Sequence, residues 1–255
     1  MRSNAARTVI FTDLDGTILN EKYSFKHAKP IIAQIIWLNI PIVFCSSKTR
    51  SEIEFYQKEI NINDPFISEN GAAIFIPKAY FKPNYAHNRQ TEKYNVIELG
   101  IAYSELRQKI ERIKAKTDCR IVGFGDMSTE EIARDSGLSL ELAKLAKMRE
   151  YDEPLRVVED NEKQLLEAIR EEGLQVTKGD RYYHLSGKHN KGTAVALLKE
   201  LYVKSFGQIR TIGVGNSPND LPMLEVVDIP VLREKTERID KTWKRILINT
   251  INLNF

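Results

Sequence analysis

Thr8-Val9-Ile10-Phe11-Thr12 is a short, β-branched apolar run that stops at two carboxylates, Asp13 and Asp15, followed by Gly16-Thr17. A run of this kind reads as a buried strand. The pattern recurs at Ile40 to Cys45, closing on Ser46-Ser47, and at Pro65 to Ser68, stopped by Glu69-Asn70-Gly71. It returns late in the chain at Ile209 to Val214, which ends in Gly215-Asn216-Ser217-Pro218-Asn219-Asp220. Helical stretches lie between these runs: about 28–38, with Pro30 tolerated in its first turn; one opened by the capping box Thr49-Arg50-Ser51-Glu52; and 191–202. Strands alternating with helices predict βαβ units and an α/β fold, with a Rossmann-like core around a parallel sheet.

The middle of the chain has a different style. Residues 78–93 hold Pro83 and His87 but no sustained period, and read as a linker. Strands are expected at 94–99, 120–124 and 154–159, and helices at 104–116, from the capping box Ser128-Thr129-Glu130-Glu131 to near Gly137, at 140–148, and at 162–172 before Gly173. Residues 174–177 and 182–185 fit a hairpin around Lys178-Gly179-Asp180. The spacing therefore predicts an inserted α+β cap domain at 84–186, interrupting a core made of 1–83 and 187–255. A short helix at 222–227, a strand at 229–232 and a helix at 236–250 close the core.

Charge and composition exclude several classes. Lys plus Arg is 38 and Asp plus Glu is 35 in 255 residues, a net +3 that gives no electrostatic case for nucleic acid. No apolar stretch is long enough for a membrane span, and the first apolar run is cut by Asp13 too soon for a signal peptide, so a cytoplasmic protein is expected. Cys45 and Cys119 are far apart and read as buried, reduced thiols.

Polar clusters stand at the carboxyl ends of expected strands, where open parallel sheets bind ligands. Asp13 and Asp15 would repel each other there, and a divalent cation would relieve that repulsion. Hard Mg²⁺ takes one or two carboxylates plus phosphate and water. Ser46-Ser47-Lys48-Thr49 leads hydroxyls into a helix N-terminus, which offers N–H groups to an anion but which Ser and Thr also cap for structural reasons. Asn190-Lys191-Gly192 puts a cation in the first turn of a helix, against the dipole, as expected of a lysine facing an anion or of a plain surface residue.

Taken in order, Asp-x-Asp-Gly-Thr, a Ser after the second strand, Lys-Gly, and Gly-Asn-x-x-Asn-Asp resemble the haloacid dehalogenase superfamily of phosphatases, with the insertion where its type IIB caps occur. Four further segments, 45–50, 67–71, 149–153 and 179–184, look like the mannosyl-3-phosphoglycerate phosphatase family. The resemblance implies a Mg²⁺-dependent phosphatase acting on a small phosphorylated sugar-glycerate, with no nucleic-acid or membrane partner. It implies Asp13 as nucleophile, Asp15 as acid then base, Ser46 and Lys191 on phosphoryl oxygens, and metal held by Asp13, the Asp15 carbonyl, Asn216 and Asp220. The family pattern usually has Asp where this chain has Asn216, which leaves Asp220 as the expected main acidic ligand of that loop. Expected substrate contacts are Glu69, Asn70, Arg149, Arg181 and His184, an arginine fork being the natural partner of a glycerate carboxylate. Lys48 and Arg50 read as surface charges. The alternatives are a phosphatase of glucosyl-3-phosphoglycerate or sucrose phosphate, a mutase, or a degenerate site that binds without catalysis.

Overall fold

The computed structural model describes residues 7–82, 84–117, 119–157, 162–179 and 181–253. Pro83 at the expected boundary, the expected strand end at 158–159 and the turn residue Asp180 lie outside them. In chain order the elements are β1 (Arg7–Thr12), α1 (Lys29–Trp37), β2 (Ile42–Cys45), α2 (Arg50–Ile60), β3 (Phe66–Ser68), β4 (Ala73–Pro77), β5 (Arg89–Gln90), β6 (Tyr94–Glu98) and α3 (Tyr103–Lys116). Then come β7 (Ile121–Gly123), α4 (Thr129–Ser136), α5 (Leu140–Ala146), β8 (Asp152–Val157), α6 (Glu162–Glu171), β9 (Gln175–Lys178) and β10 (Tyr183–Ser186). The chain closes with α7 (Lys191–Phe206), β11 (Ile209–Gly215), α8 (Leu221–Val226), β12 (Ile229–Leu232) and α9 (Ile239–Leu253).

Among the described residues the strands form an eight-stranded sheet, ordered β12-β11-β1-β2-β3-β4-β6-β5, and a four-stranded sheet, β7-β8-β10-β9. The first is parallel from β12 through β3. Alternate residues of its central strands feed opposite layers. Ile10, Ile42 and Phe44 pack with α1, α2 and Trp243 of α9, whereas Val9, Phe11, Val43 and Cys45 pack with Val195 and Leu198 of α7 and Met223 of α8. Both faces are thus dry, which is why these strands carry no polar alternation.

The expected α/β core is present, and its sheet is mixed: β4 runs antiparallel to β3 because the turn at Glu69–Ala72 is too short for a crossover. The inserted segment does not begin at residue 84 as expected. β5 and β6 pair antiparallel onto the edge of the large sheet through β4, so the chain leaves that sheet after Glu98. The second sheet is wholly antiparallel, as the hairpin signal at 174–185 anticipated. Among the described residues no helix is long and apolar enough to cross a membrane.

Candidate active site

Asp13 follows β1, whose last residue Thr12 pairs with Phe44 of β2 and Val214 of β11. The register therefore puts Asp13, Ser46 and the loop 216–220 at one edge of the sheet. Lys191, first residue of α7, joins them: its buried ammonium donates to Asp13 Oδ1 at 2.7 Å and to Asp220 Oδ1 at 2.6 Å. This resolves the cation at a helix N-terminus, because two carboxylates outweigh the dipole. Gly71 helps seat it. At φ +99°, any Cβ there would lie 2.2 Å from the Asn190 carbonyl oxygen, so only glycine lets this turn abut the start of α7. Burial pushes the Asp13 carboxyl up, to about 7; Lys191 opposes this, and Asp220 and Asp15 add to it. Asp13 Oδ2 takes no hydrogen bond from the described residues. Ser46 is buried, and its Oγ accepts the Lys48 amide at 3.3 Å.

The fourth cluster departs from expectation. Asp220 is fully buried, and its Oδ2 accepts the Asn216 amide (2.9 Å), the Ser217 amide (3.0 Å) and the Ser217 hydroxyl (3.1 Å). With Oδ1 on Lys191, both Asp220 oxygens help tie its loop to α7, and Asp220 is not among the residues lining the cavity. Asn216 does line the cavity, and its Oδ1 accepts from the Thr17 hydroxyl at 3.1 Å.

Lys48 is the second correction. It is buried, not a surface charge, with Nζ 3.0 Å from Asp15 Oδ2 and 3.3 Å from Glu52 Oε1. The capping box of Thr49 and Glu52 at the start of α2 fixes the Glu52 side of that geometry. Arg50 pairs with Glu150 at 2.9 Å.

These contacts decide whether Mg²⁺ fits. Asp13, Asp15, Glu52 and Asp220 are four carboxylates facing two ammonium groups, Lys48 and Lys191, a shortfall of two positive charges. Asp15 Oδ1 is buried without a hydrogen-bond partner among the described residues. Among the described residues no three carboxylate, imidazole or thiolate groups converge as a cage. The remaining donors are oxygens: the Asp13 carboxylate, the Asp15 carbonyl and the Asn216 amide. A hard divalent cation that keeps several waters fits this set.

A cavity of about 200 Å³ opens over Asp13, Asp15 and Asn216 and is lined on its far side by Arg149, Arg181 and His184. Glu69 and Asn70, expected to touch substrate, do not line it. Glu69 is fully buried and its carboxylate accepts three successive amides, Glu150 (3.0 Å), Tyr151 (2.9 Å) and Asp152 (2.8 Å). Asn70 accepts from Asn219 Nδ2 and donates to Asp152 Oδ2, both at 3.0 Å. Their turn is strained, with φ +46° at Glu69 and +61° at Asn70, costing about 1–3 kcal/mol per residue. Arg149 serves the same joint: it donates to Asp152 and to the Ser47 carbonyl, and lies 3.4 Å from Glu69. His184 Nδ1 donates to Asp152 Oδ2 at 2.9 Å. Burial opposes a charge on Asp152, but Arg149 and His184 hold its carboxyl far below the usual range. Asp152 falls within the segment 149–153 but has no role in the sequence reading; its signal is an acid at the first, buried position of a strand.

The fold and the strand-end constellation together define a class, and sequence comparison agrees. Residues 10–234 match the haloacid dehalogenase-like hydrolase family model. The chain belongs to that family. It is 46% identical over 232 residues to a glucosyl-3-phosphoglycerate/mannosyl-3-phosphoglycerate phosphatase of Methanococcoides burtonii, covering 90% of this chain and 85% of that one. It is 41% identical over 220 residues to the mannosyl-3-phosphoglycerate phosphatase of Pyrococcus horikoshii, covering 86% and 88%. Among solved structures, the fold resembles the subclass IIB sugar phosphatase BT4131, with a TM-score of 0.65, 15% identity and coverage of 96% and 99%.

Proposed function

We propose that this chain is a magnesium-dependent phosphatase that hydrolyses mannosyl-3-phosphoglycerate to mannosylglycerate and phosphate through an aspartyl-phosphate on Asp13. The carrying observation is the state of Asp13: one oxygen fixed by Lys191, the other without a hydrogen-bond partner among the described residues, in a cavity shared with Asp15. The likeness to relatives named for this substrate supports the choice of ester. Residues 100–186 act as the cap.

The chemical problem is attack of one anion on another, which catalysis answers by positioning and charge compensation. Asp13 Oδ2 forms a bond to phosphorus as the bond from phosphorus to the glycerate oxygen breaks. Asp15 delivers a proton to that leaving oxygen. It then takes a proton from the water that attacks phosphorus, and Asp13 departs as phosphate is released. Lys191 stays on Asp13 Oδ1 and offsets charge throughout, and the Ser46 hydroxyl donates to a phosphoryl oxygen. Asp13, the Asp15 carbonyl and Asn216 would hold Mg²⁺, which supplies positive charge to the phosphoryl oxygens when bound.

Arg181 takes the glycerate carboxylate. Arg149 has spent its fork on Asp152 and Ser47, whereas among the described residues no carboxylate pairs with Arg181. His184, held by Asp152, faces the sugar. Asn216 favours a second reading, a site that binds phosphate esters without turning them over. Phosphate release from a panel of sugar phosphates and glycosyl-3-phosphoglycerates, with and without Mg²⁺, separates the two. Mg²⁺-dependent release greatest with the mannosyl ester is expected; no release from any ester overturns the catalytic reading.

A further inference from the structure

Tyr23 belongs to the core, in the loop after the Asp13–Thr17 turn, yet it packs into the other unit. Its ring lies against the apolar cluster of Phe124, Ile132 and Leu138. Its hydroxyl donates to the Ser136 carbonyl, in the last turn of α4, at 3.1 Å. Arg181 Nη1 donates to that same carbonyl and lies 3.4 Å from the Tyr23 oxygen. The Tyr23 ring also lies near two cavity cations, 5.1 Å from Lys48 Nζ and 5.8 Å from the Arg181 guanidinium.

The chain commits a good deal of local structure to this one side chain. Tyr23 adopts φ +56°, a left-handed conformation that is uncommon for a bulky residue. Asn20 enforces it: Asn20 Oδ1 accepts the Lys22 and Ser24 amides at 3.0 Å each, and its carbonyl accepts the Tyr23 amide at 2.9 Å. Burial, with Asp15 nearby, raises the phenol above its usual range, so the hydroxyl remains a donor. Backbone strain held by a dedicated turn marks a position used for more than packing.

The cavity cations differ in what they face. Lys48 has Asp15 and Glu52, and Arg149 has Glu69 and Asp152. Among the described residues Arg181 faces only neutral oxygens, those of Tyr23 and Ser136. We infer that Tyr23 is a positioning residue that holds Arg181 for the carboxylate of the substrate, making this core tyrosine a determinant of selectivity for phosphate esters that carry an acid group. The inference rests on the phosphatase reading above and names the core residue behind its acid recognition.

The test is binding, which does not depend on turnover. Calorimetry on the full chain in magnesium buffer compares 3-phosphoglycerate with glycerol 3-phosphate, the same skeleton with a hydroxymethyl group in place of the carboxylate. Wild type is expected to prefer the acid, and Tyr23→Phe, which keeps the ring, to cut that preference about tenfold through loss of a fixed guanidinium geometry. Arg181→Leu abolishes the preference, and Tyr23→Phe adds nothing in that background. Arg181→Lys, which keeps the charge without the fork, falls in between. An equal affinity of wild type for both esters, binding of neither, or a preference unchanged in Tyr23→Phe overturns the inference. Failure of the phosphatase reading shows separately, as absence of phosphate release from every ester whatever the binding ratio.

Discussion

Lys191 Nζ lies 2.7 Å from Asp13 Oδ1, a contact between residues 178 positions apart that closes the site across the whole insertion. The same ammonium holds Asp220, so removing it leaves two buried carboxylates facing each other. Lys191→Met is expected to destabilise the fold by about 3–5 kcal/mol, as for a buried pair stripped of one partner. It should also lower kcat by at least about a hundredfold, in line with loss of a group that offsets transition-state charge. Urea unfolding and steady-state kinetics check both effects.

Asn216 brings an uncharged oxygen to the position facing Asp13 and Asp15. Replacing it by a carboxylate adds charge where the site is short of cations, not of anions, so the gain depends on metal being bound there. Asn216→Asp is expected to lower the Mg²⁺ concentration giving half-maximal rate, by about threefold or more, as an added carboxylate ligand should. A metal titration unchanged by the substitution means that Asn216 is not a ligand.

Glu69 caps three successive amides at the start of β8 and neighbours Arg149. Glu69→Ala strands those three donors in a dry joint, while Arg149 keeps Asp152. A loss of about 3–5 kcal/mol is expected, because each buried amide left unsatisfied costs stability. Denaturant unfolding measures it; a loss below 1 kcal/mol, near the middle of ordinary substitutions, contradicts the assigned role.

His189 is buried with Nε2 3.2 Å from the Glu69 carbonyl and Nδ1 without a partner among the described residues. Burial lowers its pKa from the ordinary 6.5, although Asp152 and the Glu69 carbonyl oppose the shift. A depressed value means the folded state favours the neutral ring. The corresponding stability is complete above pH 6.5 and is lost as pH falls from there toward the folded value. His189→Gln should therefore flatten the decline in unfolding free energy between about pH 7.5 and 5.5. Parallel pH profiles for wild type and variant refute this.

The site was legible where carboxylates stand at a strand end. Asp13 and Asp15 after a β-branched run mark such an end, whereas Lys191 against its helix dipole left two readings open, and its contacts with Asp13 and Asp220 decide between them. What escaped depended on partners distant in sequence. Lys48 read as a surface charge because nothing local shows Asp15 reaching it. Glu69 and Asn70 read as substrate contacts because a turn after a strand looks the same whether it faces a cavity or the start of β8. The boundary at 84 failed for a related reason: β5 and β6 are edge strands whose place is set by pairing with β4, which composition does not encode. Tyr23 gave no signal, since its left-handed backbone is imposed by Asn20 and not by a glycine.

The direct test of the account is phosphate released from mannosyl-3-phosphoglycerate by wild type and by Asp13→Asn in saturating Mg²⁺. Loss of the attacking oxygen should cut the rate by about a thousandfold or more while the protein remains folded. An Asp13→Asn protein that keeps more than about a tenth of the wild-type rate would show that the phosphoryl group never passes through this carboxylate.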